Sequence, residues 1–233
     1  MQQQMNASFL IADDIMDASS TRRGKPCWYK VPQVGMVAIN DATLLLTCIF
    51  RVIKMVFKDD THPIVYLRLQ DLFQEGAFRT SAGQLMDTTV PLNFSSLRLQ
   101  DGVVGGKGPT TAADLMSVYN LEGYMATAAH KTAWFSFYLP LAAAMVLAGG
   151  GTCGGRFSGP LDVAEVAFSM AERIMVEMGQ LYQVQNDFLD CYGDPLVTGK
   201  VGSDIEEGTS SWIICTALEA ASAVQRGVIL VRR

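Results

Sequence analysis

The sequence has few histidines: His62 and His130 are the only two in 233 residues. That leaves little room for a Ser-His-Asp hydrolase or an imidazole-based metal centre. Its five cysteines, Cys27, Cys48, Cys153, Cys191 and Cys215, are odd in number and form no Cys-x-x-Cys pair. Neither a disulfide framework nor a zinc site fits, and reduced thiols in a cytoplasmic protein are expected. There is no basic excess, with 18 Lys and Arg against 23 Asp and Glu, which argues against a nucleic-acid partner. The longest apolar run, AWFSFYLPLAAAMVLA from Ala133 to Ala148, falls short of the roughly 18–20 residues of a membrane span and contains Pro140. It reads as a buried core helix, and no membrane span is expected. The opening MQQQMNASFLIADD lacks the basic n-region of a leader. With 49% hydrophobic and 18% charged residues, the chain supports one sizeable core, a single domain over residues 1–233.

Helical periodicity dominates. Between Ile39 and Phe57 the apolar positions 45, 46, 49, 52, 53 and 56 trace one buried helix face. Ile64–Asp87, Leu115–Gly149, Leu161–Tyr192 and Ser211–Val231 read the same way. Gly- and Pro-rich breaks at Arg23–Pro32, Gly102–Pro109, Gly149–Pro160 and Gly193–Gly208 separate them. GVVGGKGP lacks the spacing and terminal Lys-Ser/Thr of a phosphate loop. The spacing predicts an all-α bundle.

Carboxylates carry the chemical signal. Asp13, Asp14 and Asp17 close the stretch FLIADDIMD, with Asp13 and Asp17 one helical turn apart. Such a cluster repels itself unless a cation binds, and magnesium completed by phosphate oxygens is the natural partner. A solvated acidic helix start, favoured by the helix dipole, is the plainer alternative. Arg22 and Arg23 follow, suited to gripping a polyanion in a forked geometry. A second patch places Asn186, Asp187 and Asp190 on one helix. Gln84 and Asp87 in GQLMD, Lys131, Lys200 and Asp204 complete the set. Together they describe magnesium ions bridging carboxylates to a diphosphate, basic groups holding its other oxygens, and apolar helix faces enclosing a hydrocarbon tail.

DDIMD, TRRGKPCW, AINDA, GQLMD, KTAWFSFYLPLA, QVQNDFLDCYGDP, TGKVGSDIEE and SSW resemble, in order and approximate spacing, the motifs of eukaryotic farnesyl diphosphate synthases. The likeness runs over about residues 6–226. It implies the isoprenoid-synthase helical bundle around a central apolar cavity, normally a homodimer. It also implies condensation of isopentenyl diphosphate with dimethylallyl or geranyl diphosphate. By this resemblance Asp13 and Asp17 bind two magnesium ions with Asp14 beside them, and Asp87 lies near those metals. Asp187 and Asp190, with Asp204 nearby, position a third. Arg22, Lys131 and Lys200 hold the allylic diphosphate and Arg23 the homoallylic one. The oxygens of Thr132 and Gln183 face the developing carbocation.

Departures from the family qualify the reading. The likeness implies that about the first quarter of the family's chain, with its diphosphate-gripping Gly-Lys…Arg segment, and its last helices are missing, so a fragment is expected. Asn186 replaces the first aspartate of the second motif, and a neutral amide oxygen is a poorer magnesium ligand, as in chrysanthemyl diphosphate synthases. Ser8 and Phe9 stand where the family has two aromatics that floor the pocket. Ser8 predicts extra room and some geranylgeranyl product. Phe135 stands where many members carry Tyr. A prenyltransferase-like subunit without turnover is the rival reading, whereas a di-iron bundle lacks its Glu-x-x-His pairs. Trp28, Trp134, Met175 and Met178 read as core, and the two histidines as ordinary core or surface residues rather than ligands.

Overall fold

The computed structural model of the chain describes residues 1–58, 63–100, 119–150, 161–199 and 202–231, the side chains of 90–100, 150, 161–163, 207, 227 and 230–231 excepted. The Gly102–Pro109 stretch, His62, Cys153 and Lys200 lie outside the described residues. The long helices are α1 (Gln2–Met16), α2 (Ala38–Phe57) and α3 (Pro63–Gln100), then α4 (Leu121–Ala128), α5 (Leu139–Met145) and α6 (Leu161–Tyr192). Two single-turn helices, α7 (Pro195–Thr198) and α8 (Asp204–Glu207), lead to α9 (Trp212–Ala220) and α10 (Ala223–Val231). Between α1 and α2 a minimal hairpin pairs β1 (Thr21–Arg22) antiparallel with β2 (Lys25–Pro26), in register Thr21 to Pro26 and Arg22 to Lys25.

Local sequence explains most of the boundaries. The hairpin's two loop residues, Arg23 and Gly24, have φ of 54° and 71°, the left-handed pair that a two-residue hairpin turn requires. Asn120 caps α4 by accepting a hydrogen bond from the Gly123 N–H at 2.7 Å, so α4 starts at Leu121; positions 115–118 of the helix read from Leu115 lie outside the described residues. Asp194 caps α7, whose first residue is Pro195. The helix read over Ser211–Val231 is broken, since Ala221 leaves α9 in extended conformation.

Between α4 and α5 the helix continues in wide π turns over Ala129–Tyr138. Pro140, near the start of α5, has no N–H to donate and its ring collides with an ordinary preceding carbonyl. The wide turns end where regular winding resumes on either side of it, and π stretches of this kind often mark functional sites.

The core gathers on this π stretch. Met5 of α1, Ile49 and Ile53 of α2, Leu69 and Phe73 of α3, and Trp134, Phe135, Tyr138 and Leu139 form one buried cluster. Each such side chain contributes about 1.5–3 kcal/mol by leaving water. A second cluster, including Tyr124, Cys215 and Leu218, fastens α9 to α4. On the outer side Arg79 lies over the Trp134 ring at 5.0 Å, and Glu172 accepts from Trp134 Nε1 at 2.8 Å and from Arg79 at 3.3 Å. This ties α3 to α6.

The expected core positions need correction in two places. Trp28 is 46% exposed, with its indole N–H donating to Asp41, and Met178 is 48% exposed. Both share helical or turn spacing with buried neighbours but face outward. By length and apolarity two helices, Gly35–Phe57 and Leu121–Gly149, could cross a membrane. That is a longer reach than the single run Ala133–Ala148, because Pro140 does not stop the second helix.

Candidate active site

Two glycines set the site's geometry. Gly83 on α3 and Gly179 on α6 meet the π stretch from two sides. A Cβ on Gly83 would overlap the backbone of Lys131, and one on Gly179 the backbone of Ala133. Only a glycine permits such an approach. One turn beyond Gly83 lies Asp87, and one turn beyond Gly179 lies Gln183. Both are therefore carried directly opposite Lys131 and Thr132.

The first aspartates sit at the end of α1, not its start. Asp13 and Asp14 occupy its last turn and Asp17 follows as its C-terminal cap. The helix dipole opposes carboxylates there, so the plainer reading of a solvated acidic helix start does not hold, and cations must balance the cluster. Arg22 supplies one, donating to Asp14 at 2.6 and 2.9 Å and to Asp13 at 3.1 Å. Lys131 supplies another. Its ammonium donates to Asp87 at 2.5 Å and lies 3.4 Å from Asp13, while Gln84 Nε2 donates to Asp13 at 3.1 Å. Arg23 is exposed at the hairpin tip, and so is Asp17.

The second patch also lies near a helix C-terminus, and two of its carboxylates dock on backbone amides. Asp187, 3% exposed, accepts from the Trp212 N–H of α9 at 2.8 Å and from Gln183 Nε2 at 2.9 Å. Asp190 accepts from the Ser203 and Asp204 N–H groups at 2.9 and 3.0 Å. Gln183 in turn accepts from the Thr132 hydroxyl at 2.7 Å. Asn186 is half-buried beside them. Sequence reasoning missed the Trp212 amide and Tyr124, whose buried hydroxyl stands beside Asp187 without a hydrogen bond of ordinary geometry. The SSW motif, with Ser211 preceding α9, was the available signal for the first.

Ser8 and Phe9 diverge. Ser8 is buried and donates to the Ala42 carbonyl of α2 at 2.8 Å, a helix–helix hydrogen bond. Phe9 meets Phe135 edge to face at 5.6 Å. His130 Nδ1 is hydrogen-bonded with the Ala126 carbonyl at 2.9 Å and faces no ligand set. Among the described residues no three His, Cys, Asp or Glu side chains converge tightly enough to hold a metal. The donor chemistry still fits a hard cation: Asp13 and Asp87 are both oxygen donors, and a positive ammonium already stands between them.

The family model described as polyprenyl synthetase matches residues 1–231. The chain belongs to the polyprenyl synthetase family. It is 39% identical over 222 residues to a farnesyl pyrophosphate synthase of Saccharomyces cerevisiae, covering 95% of this chain and 54% of that protein. It is 38% identical over 225 residues to the human farnesyl pyrophosphate synthase, covering 97% and 46%. The chain thus spans about half the length of the curated relatives it matches. Among solved structures, a T. brucei farnesyl diphosphate synthase complexed with a bisphosphonate superposes with a TM-score of 0.78 at 30% identity, covering 99% of this chain and 59% of that one. The polyprenyl synthetase fold is the all-α isoprenoid-synthase bundle, and the helices described above follow it.

Electrostatics at the site favour protonated cations and neutral phenols. Burial alone would lower the Lys131 ammonium, but Asp87 and then Asp13 outweigh it and the net shift is upward. Burial, then the Asp187 charge, drives Tyr124 far above the ordinary 10.0, and burial with Glu172 pushes Tyr138 up to about 12. All three groups hold a proton more tightly folded than unfolded. Their contribution is complete below the ordinary values of 10.0 and 10.5 and is lost as pH climbs toward the folded ones. Burial raises the Cys27 thiol from its ordinary 9.0 in the same sense, so the melting midpoint is expected to hold near pH ~8 and to fall steadily above pH ~9. A midpoint unchanged up to pH ~11 in scanning calorimetry would contradict it.

Proposed function

We propose that the chain carries the catalytic bundle of a magnesium-dependent prenyltransferase, condensing isopentenyl diphosphate with dimethylallyl or geranyl diphosphate to farnesyl diphosphate. The observation that carries this reading is the Lys131 ammonium between Asp13 and Asp87, one residue from the Thr132–Gln183 pair. One side of that constellation suits a leaving diphosphate and the other a developing positive charge. Asp13, Asp17 and Asp87 would hold magnesium, with Asn186 and Asp204 toward a further ion, and bound magnesium supplies Lewis-acid charge against the departing oxygen.

In the reaction the allylic carbon–oxygen bond breaks and its electron pair leaves with pyrophosphate. The isopentenyl double bond then attacks the allylic carbon, and a proton lost from the adduct passes to pyrophosphate. Lys131, Arg22 and Lys200 bind diphosphate oxygens, and Arg23, exposed at the hairpin tip, reaches the homoallylic partner. Phe9 and Phe135 exclude water from the cation, and their edge-to-face contact supports a fifteen-carbon stop over a longer product. Exposed apolar residues on α2, among them Leu44, Met55 and Val56, support a homodimer through that face rather than a membrane span. The four described cysteines, which form no disulfide, support a reducing, cytoplasmic compartment.

The test incubates the chain with magnesium, isopentenyl diphosphate and geranyl diphosphate and identifies products by mass spectrometry. Farnesyl diphosphate formed only with magnesium is the expected result. Diphosphate binding without any product would favour the subunit that no longer turns over.

A further inference from the structure

We propose that Asp187 is a positioning residue. It fixes the polarity of a hydrogen-bond relay from the start of α9 to Thr132, so that Thr132 presents its oxygen lone pairs, not its proton, to a positively charged substrate. The inference rests on the prenyltransferase reading and deepens it.

Donor and acceptor chemistry settles the direction of every bond. The Trp212 N–H can only donate and an ionised carboxylate can only accept, and they meet at 2.8 Å. Gln183 must then turn its amide NH2 toward Asp187, at 2.9 Å, and its carbonyl toward Thr132. The Thr132 hydroxyl has one proton and gives it to that carbonyl at 2.7 Å. Its lone pairs are left for whatever lies on its other side. An amide placed between two ambiguous groups could sit either way round; here the carboxylate at one end removes the choice. Asp187 is 3% exposed, so water does not compete for its oxygens. The motif spacing puts Asp187 among metal ligands, yet one of its oxygens is bonded to Gln183 and the other to Trp212.

Asp187→Asn should reverse the relay. The new oxygen keeps the Trp212 N–H, the new NH2 faces Gln183, and Gln183 turns over to offer NH2 to Thr132. The Thr132 proton is then released toward the substrate. The readout is a ratio of dissociation constants for two isoprenoid diphosphate analogues of equal shape, one bearing an ammonium where the cation forms and one neutral. The unsubstituted chain is expected to prefer the ammonium analogue. Asp187→Asn should cut that preference on the order of tenfold and lower kcat on the order of a hundredfold, with KM little changed, as expected when one preorganised dipole is turned. Adding Gln183→Glu should restore the preference, because an acceptor-only carboxylate at 183 again obliges Thr132 to donate. A merely structural role for Asp187 predicts no such rescue.

An unchanged ratio in Asp187→Asn, or a loss that Gln183→Glu does not restore, overturns the proposal. Should the single variant fail to fold, the double variant decides alone: a retained preference supports the relay and a lost one overturns it. An unsubstituted chain that binds neither analogue rejects the prenyltransferase reading itself, which separates the two failures.

Discussion

Lys131→Met is expected to lower the rate of product formation by about 10²–10³-fold, the range for removing one preorganised charge-stabilising donor. The ammonium touches both Asp87 and Asp13, at 2.5 and 3.4 Å, with 26% of Lys131 and 21% of each carboxylate exposed. Without it two acidic groups on separate helices face each other across the site. Breaking a fully buried pair costs about 3–5 kcal/mol, and the remaining exposure reduces the expected loss to about 1–3 kcal/mol. Denaturant midpoints measure that part. Adding Asp87→Asn removes the repulsion and should return most of the stability while leaving the rate low. A double variant as unstable as Lys131→Met would show that Lys131 acts through packing of its stem. A rate within about threefold of the unsubstituted chain would remove Lys131 from the diphosphate site.

The carboxylates were legible because composition and spacing report charge directly. Asp13, Asp87, Lys131 and Gln84 were named from sequence, and the structure brings them together. Which end of a helix they occupy was not legible. α1 has no glycine to mark its end: the left-handed residue that follows the Asp17 cap is Ala18, with φ of 52°. The partner of Ser8 was not legible for a related reason. Alignment to a motif gives a residue's position along the helix, whereas the neighbour it faces depends on how α2 crosses α1. Asp187 was read as a metal ligand from its type and spacing alone, which say nothing of what else holds its carboxylate. One of its partners is a backbone amide supplied by α9, 25 residues away, and no side-chain pattern announces such a group. The π turns were hidden as well, since Pro140 signals a disturbed helix but not whether it kinks, ends or widens.

Gly179→Ala is expected to destabilise the fold by at least about 3 kcal/mol, the upper end of overpacking, because the obstruction is backbone rather than a rotatable side chain. The added methyl would fall on the Ala133 backbone and crowd Phe137. α6 and the π stretch must then separate, and Thr132 and Gln183, now 2.7 Å apart, separate with them. Gly83→Ala meets the same obstacle at Lys131 and should separate Asp87 from its ammonium. For a chain of this size about 3 kcal/mol corresponds to roughly 6–12 °C in Tm. Gly76→Ala is the control. Its methyl would touch only the ends of Trp134, Leu139 and Met5 side chains at 3.1–3.4 Å, which can shift by tenths of an ångström. In mid-helix, alanine is otherwise favoured over glycine by about 0.5–1 kcal/mol, so Gly76→Ala should leave Tm within about 3 °C. Thermal melts of the three variants separate backbone crossing from ordinary crowding. Equal, small shifts in all three would mean that the helices are not held in contact at Gly83 and Gly179, and that the pairing of Thr132 with Gln183 has another cause.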